Sequence, residues 1–149
     1  MEISLLKSSK NPDESADMGT HEFTYSLLPH MSALADSEVF AQAEDLNQPL
    51  LTLYGCLRKD SGRLFRLPAD NVMIDAVKPA EDGDGIILRV HECRGKRAVS
   101  MLTSDYEAAD YQECNLLEEP LLEASNYGNG IPVCLHPFEI KSWRIHIKY

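Results

Sequence analysis

A chain of 149 residues, 44% hydrophobic and 26% charged, is long enough for one or two folded domains and too apolar for general disorder. Its formal net charge is −10, and the basic residues are scattered rather than gathered into a stripe, so a phosphate backbone would be repelled and nucleic acid is excluded as a partner. There is no run of about 18 apolar residues, and Met1-Glu2-Ile3-Ser4 does not lead a basic segment into an apolar one, so neither a membrane span nor a secretory signal is expected.

Short apolar runs bounded by Gly, Pro, Asn or Asp recur along the chain and predict strands at residues 3–6, 21–28, 50–57, 72–77, 86–92, 97–102, 131–135 and 141–147. Residues 11–19 and 120–130 are polar and turn-rich. One segment breaks the pattern: Asp36 or Ser37 can cap a helix with Val39, Phe40, Ala43 and Leu46 on one face, and Asn47 and Pro49 end it. Asp82-Gly83-Asp84-Gly85 offers two residues free to take positive φ, and Arg94-Gly95 predicts a hairpin pairing residues 86–92 directly with 97–102. In the last strand Trp143, Ile145 and Ile147 alternate with Arg144, His146 and Lys148, which predicts one core-facing side and one basic, wet side. The expected fold class is all-β, an antiparallel β-sandwich with one short connecting helix at about residues 36–47.

Cys56, Cys93, Cys114 and Cys134 lie at least 20 residues apart, without metal-ligand spacing, which is the usage of buried free thiols in a reducing compartment, the alternative being a disulfide in a secreted protein. Asp17 and His21 place a carboxylate and an imidazole four residues apart at the mouth of a strand, where a loop could aim both at a ligand. The bland alternative is a turn capped by Asp17 with His21 bonded to backbone. His91-Glu92-Cys93 looks like a nucleophile neighbourhood, but no orienting acid or oxyanion donor can be named and the chain is acidic, so a structural reading is favoured. Glu118 and Glu119 are adjacent and would point to opposite faces of a strand. For these two, and for Glu92 and Glu113, a surface or turn-anchoring role is favoured over the carboxylate pair of a glycosidase. Glu81-Asp82-Gly83-Asp84 lacks the ligand alternation of a calcium loop and reads as a solvated hairpin turn.

Leu5-Leu6-Lys7-Ser8, Pro12-Asp13 and the run Ala16-Asp17-Met18-Gly19-Thr20-His21-Glu22-Phe23-Thr24-Tyr25-Ser26-Leu27-Leu28-Pro29-His30 resemble a stretch near the C-terminus of the glycoside hydrolase family 38 α-mannosidases. Leu46-Asn47-Gln48-Pro49-Leu50, Val77-Lys78-Pro79-Ala80-Glu81-Asp82-Gly83 and Pro137-Phe138-Glu139-Ile140-Lys141 extend the likeness over nearly the whole chain. One departure is Lys7, which stands where relatives commonly have Arg.

The resemblance implies the following. The parent enzyme is zinc-dependent and retaining, and it removes terminal α-linked mannose from glycans. Its zinc ligands and aspartate nucleophile lie on an N-terminal catalytic domain, so this chain carries no catalytic or metal residue and needs no cofactor of its own. Residues 1–35 are closing strands of a large β-sandwich, 36–68 a connecting helix and strand, and 69–149 a small terminal β-sandwich. The partners are the catalytic domain and a mannose-containing glycan, with room for a homo-oligomer and a cytoplasmic location. Asp17 and His21 become candidates for support of the substrate cleft. The alternatives are an autonomous carbohydrate-binding module, for which Tyr106 and Tyr111 would be the aromatic contacts, and a structural interaction domain.

Overall fold

The computed structural model describes residues 2–55 and 62–148. The chain divides into two units, Met1–Met31 and Ser32–Tyr149.

In the first unit the described residues are extended around a turn at 11–18 and join no ladder. Strands were expected at 3–6 and 21–28. A strand exists only where a second segment answers its N–H and C=O groups, and this unit supplies none, so Ile3, Leu5, Leu6, Phe23 and Leu27 remain about half exposed or more.

The second unit opens with a 3-10 turn, Leu34–Asp36, and the helix α1, Val39–Asn47. The N-cap position falls on Glu38, which makes no side-chain cap bond, rather than on Asp36 or Ser37 as expected; Ser37, one residue earlier, still meets the first helical N–H. Its Oγ accepts the Val39 N–H at 3.3 Å and donates to the Leu34 carbonyl at 2.7 Å. Asn47 closes the helix by donating from Nδ2 to the Ala43 carbonyl. The strand expected at 50–57 is not seen over residues 50–55, where Leu50, Leu51, Leu53 and Tyr54 stand exposed; residues 56 and 57, Cys56 among them, lie outside the described residues.

Seven strands follow: β1 Val72–Pro79, β2 Ile86–Glu92, β3 Ala98–Leu102, β4 Ala108–Cys114, β5 Ser125–Asn126, β6 Ile131–Leu135 and β7 Ile140–Ile147. They form an antiparallel sandwich of a five-stranded sheet, ordered β1-β2-β7-β4-β5, and a two-stranded ribbon, β3-β6. Period-two alternation aims Leu88 and Val90 of β2, and Trp143 and Ile145 of β7, at Ala98, Leu102, Ile131, Val133 and Leu135 of the ribbon. Fully burying each Leu, Ile or Val contributes about 1.5–3 kcal/mol, so this layer supplies the bulk of the stabilisation. Gly130 leads into β6 at φ 129, and a Cβ there would lie 2.4 Å from the Leu102 carbonyl oxygen.

The hairpin expected at Arg94-Gly95 is instead a corner between sheets. β2 pairs with β1 and β7, while β3 pairs with β6 in the ribbon. The cause is Glu92, which continues the inward face of Leu88 and Val90 at the end of β2 and is fully buried. Its carboxylate accepts the N–H groups of Arg94 (2.9 Å), Gly95 (2.8 Å) and Phe138 (2.9 Å) and the Asn71 side-chain amide (3.0 Å). These bonds turn the chain through Gly95, at φ 70, away from its own sheet.

Burial pushes the Glu92 carboxyl up. The N–H donors of Phe138, Lys96 and Arg94 and the Asn71 amide outweigh it and hold the group at about 2, below its ordinary 4.5. A depressed carboxyl contributes stability that is fully present above the unfolded-state value and is lost as pH falls through the folded-state value. Glu92→Gln should therefore lower stability at neutral pH by about 2–4 kcal/mol, because an amide NH2 would face backbone donors. The variant should also flatten the loss between pH 4.5 and 2, as followed by urea denaturation across that range.

Candidate functional site

Two places gather chemistry-bearing side chains, one in each unit. In the first, Asp13 organises the turn. Its Oδ1 accepts the Ser15 N–H (2.9 Å) and hydroxyl (2.8 Å), and the Ala16 and Met18 N–H groups bond back to the carbonyls of Asp13 and Ser15. The chain then passes through Asp17 at φ 58, a left-handed conformation that a non-glycine residue adopts at a cost. His21 Nε2 donates to the Asp17 main-chain carbonyl at 2.8 Å, and its ring stacks on Phe23 with centroids 6.1 Å apart. The two residues are thus joined through main chain rather than side chain, and both side chains stay exposed.

In the second unit the outer face of the five-stranded sheet carries a network of ion pairs. Lys78 bridges Glu81 and Glu118, at 2.7 Å from the latter, and Glu118 Oε2 accepts the Glu81 N–H at 2.8 Å. Arg144 Nη1 binds Asp82 at 2.7 Å and the Asp84 carbonyl at 3.1 Å. His146 lies between Asp110 (Nδ1, 2.6 Å) and Asp84 (Nε2, 3.3 Å). Lys78 and the Glu81 N–H hold the Glu118 carboxyl below its usual range, and the Asp84 N–H and Arg144 do the same for Asp82. The Asp82–Gly85 turn is a hairpin turn as expected, with positive φ at Gly83 and Gly85, and its carboxylate is spent on Arg144.

The face of β7 expected to be basic and wet is basic and only partly wet: Lys148 is exposed and His146 half-buried, but Arg144 is covered. Arg144 is only 12% exposed, because residues 115–120 fold over it and its Nη2 donates to the Glu118 carbonyl at 3.4 Å. Glu118 sits in a turn at φ 67, not on a strand, and anchors the neighbouring hairpin. These partners lie 26 to 62 residues apart in the chain, so local spacing gave no signal for them.

His91 does have an acid beside it, Asp75 at 2.7 Å, which sits where a bulge interrupts the β1 register. Cys93 lies beyond the end of β2, and burial raises its thiol, so the pair expected on one strand face is not assembled for nucleophilic work. Cys114 is likewise buried and raised, whereas Cys134 is exposed, contrary to the expectation of buried thiols throughout, because β6 alternation turns it outward. Among the described residues, no three His, Cys, Asp or Glu side chains converge as metal ligands. Trp143 is buried and Tyr111 packs against the core, so neither offers the exposed platform of a carbohydrate-binding module; Tyr106 is 44% exposed.

The described residues of the second unit define an antiparallel β-sandwich of five plus two strands. The profile of the Glycosyl hydrolases family 38 C-terminal beta sandwich domain matches residues 71–143, and the chain belongs to this family. It is similar to alpha-mannosidase G of Dictyostelium discoideum (32% identity, 95% of this chain, 14% of that protein). It is also similar to alpha-mannosidase 2C1 of mouse (32%, 95% and 14%) and to an alpha-mannosidase of Saccharomyces cerevisiae (31%, 98% and 16%). The chain thus spans a small fraction of the length of these relatives. No solved structure matches it.

Cys93 and Cys114 should resist iodoacetamide at neutral pH in the folded protein, reacting at under about a tenth of the unfolded rate. Peptide mass spectrometry before and after denaturation checks this, and ready native alkylation of Cys93 would restore the nucleophile reading.

Proposed function

We propose that this chain is the C-terminal, non-catalytic portion of a zinc-dependent, retaining α-mannosidase that hydrolyses terminal α-linked mannose from glycans. The observation that carries the proposal is the alignment of 95% of this chain with 14% of the length of proteins named alpha-mannosidase. In this reading residues 1–35 close a large β-sandwich whose other strands come from the remainder of the polypeptide. The extended, unladdered and apolar residues of the first unit support that assignment. Residues 36–68 connect, and 69–149 form the terminal sandwich that packs on the catalytic domain. A cytoplasmic, reducing setting goes with it, supported by the free thiols of Cys93, Cys114 and Cys134.

Zinc belongs to the proposal for the parent enzyme alone. No three donors converge among the described residues, and the buried Cys93 and Cys114 thiols are raised, so this segment does not fit the metal.

The role left for this chain is to shape the cleft. Asp17 presents an exposed carboxylate on a turn pinned by Asp13. With Nε2–H committed to the Asp17 carbonyl, the other nitrogen of His21 is an acceptor. Both groups suit the hydroxyl donors of a sugar.

In the full-length enzyme, Asp17→Asn and His21→Gln should each lower kcat/KM for an aryl α-mannoside by about 10- to 100-fold, since small misplacements in a cleft cost that much. The melting temperature should stay unchanged. Unchanged turnover in both variants would remove these residues from the cleft. The 149-residue chain alone should neither hydrolyse the substrate nor bind stoichiometric zinc, and zinc-dependent turnover by it would overturn the proposal.

A further inference from the structure

We propose that the outward face of the β3–β6 ribbon is the seat on which the remainder of the α-mannosidase polypeptide packs, an inference that rests on the functional reading above. The ribbon spends its inward residues on the core. Its outward residues are Val99 and Met101 of β3 and Pro132 and Cys134 of β6, set opposite one another in register as Val99 with Cys134 and Met101 with Pro132. All four are uncharged, and Val99 is 76% exposed. A two-stranded ribbon with one apolar face in the core and a second in water is a marginal arrangement that a covering partner would relieve.

Two other surfaces of the sandwich are less suited. The outer face of the five-stranded sheet spends Lys78, Arg144 and His146 on internal pairs and is roofed by residues 115–120. The exposed leucines Leu116, Leu117, Leu121 and Leu122 are interleaved with Glu118, Glu119 and Glu123, whose charges a dry interface would have to desolvate. Pro132 brings no N–H to the ribbon, which favours contact through side chains over addition of a strand.

The occupant follows from length and charge. Relatives carry this segment as 14% of their chain, so most of the polypeptide is tethered to the domain at high effective concentration. A second copy would bring another net charge of −10 against the first.

Cys134 lies within the face and reports on it. In the folded, active full-length enzyme, Cys134 should react with a maleimide at least about 10-fold more slowly than in the denatured enzyme, as read by peptide mass spectrometry. Val99→Glu or Met101→Glu should restore its reactivity and lower the melting temperature of the whole enzyme. Labelling of Cys134 at the denatured rate in an enzyme that still cleaves α-mannosides overturns the seat and leaves the functional reading standing. Protection that disappears on dilution assigns the face to a second copy, which also overturns it. A full-length protein without α-mannosidase activity removes the functional reading, and this proposal with it.

Discussion

The Glu92 carboxylate is the interaction on which the second unit depends. A charge taken out of water costs several kcal/mol unless it is met by donors of good geometry. Glu92 is met by four, drawn from three separate stretches of chain: Asn71 before β1, Arg94 and Gly95 after β2, and Phe138 before β7. Two main-chain bonds reinforce the junction, from the Glu92 N–H to the Glu139 carbonyl and from the Cys93 N–H to the Asn71 carbonyl. One side chain therefore fixes where the chain leaves the five-stranded sheet and where β7 enters it. The corner so fixed then reaches further. Arg94 Nη1 donates to the Ala35 carbonyl at 3.1 Å and Lys96 pairs with Asp36 at 2.7 Å, so the 3-10 turn before α1 is held by residues whose backbone Glu92 has already placed.

The outer face of the sheet follows a different logic. Its charges are numerous, and apart from Lys78 with Glu81 they are answered from distant parts of the chain. An exposed pair contributes little to stability, typically under about 1 kcal/mol, but Glu118 and Arg144 are largely buried here and their charges need partners. Their effect is geometric: Lys78, Glu118 and Arg144 lock the β1–β2 turn and residues 115–120 onto the sheet, which covers Ile87 and Cys114. The pairing is not complete: among the described residues of this face, Arg144 Nε is buried without a hydrogen-bond partner.

The sequence made the sandwich legible wherever alternation was strong. β2, β6 and β7 fall where the apolar residues alternate or cluster, and Trp143 and Ile145 point inward as expected. β4 escaped because Ala-Ala-Asp-Tyr-Gln-Glu-Cys has neither a β-branched residue nor a clean period; it is a strand because β7 pairs with it, not by its own preference. The corner at Gly95 was misread as a hairpin because turn chemistry alone cannot distinguish a tight return from a change of sheet. The deciding residue is a carboxylate in an inward position, where the hydrophobic pattern offers no category for it. Segments 3–6 and 21–28 failed for the opposite reason: their pattern was right for strands, but strand formation needs a partner that this unit does not contain.

The candidate site shows the same division. Asp17 and His21 were legible because they lie close together in the chain, and the structure joins them through one local bond. The charged network of Lys78, Glu118, Arg144 and His146 was not, because its partners meet only once the sheet is built. The distinction bears on what each can do. A network created by the fold is committed to maintaining it, since breaking any pair leaves a partly buried charge unanswered. The turn at Asp17 has its main-chain bonds made by Asp13 and Ser15, and the Asp17 side chain stands exposed. The left-handed backbone at Asp17, φ 58, is itself used within the unit, because it presents the Asp17 carbonyl to His21 Nε2 and so ties the turn to the segment that follows it.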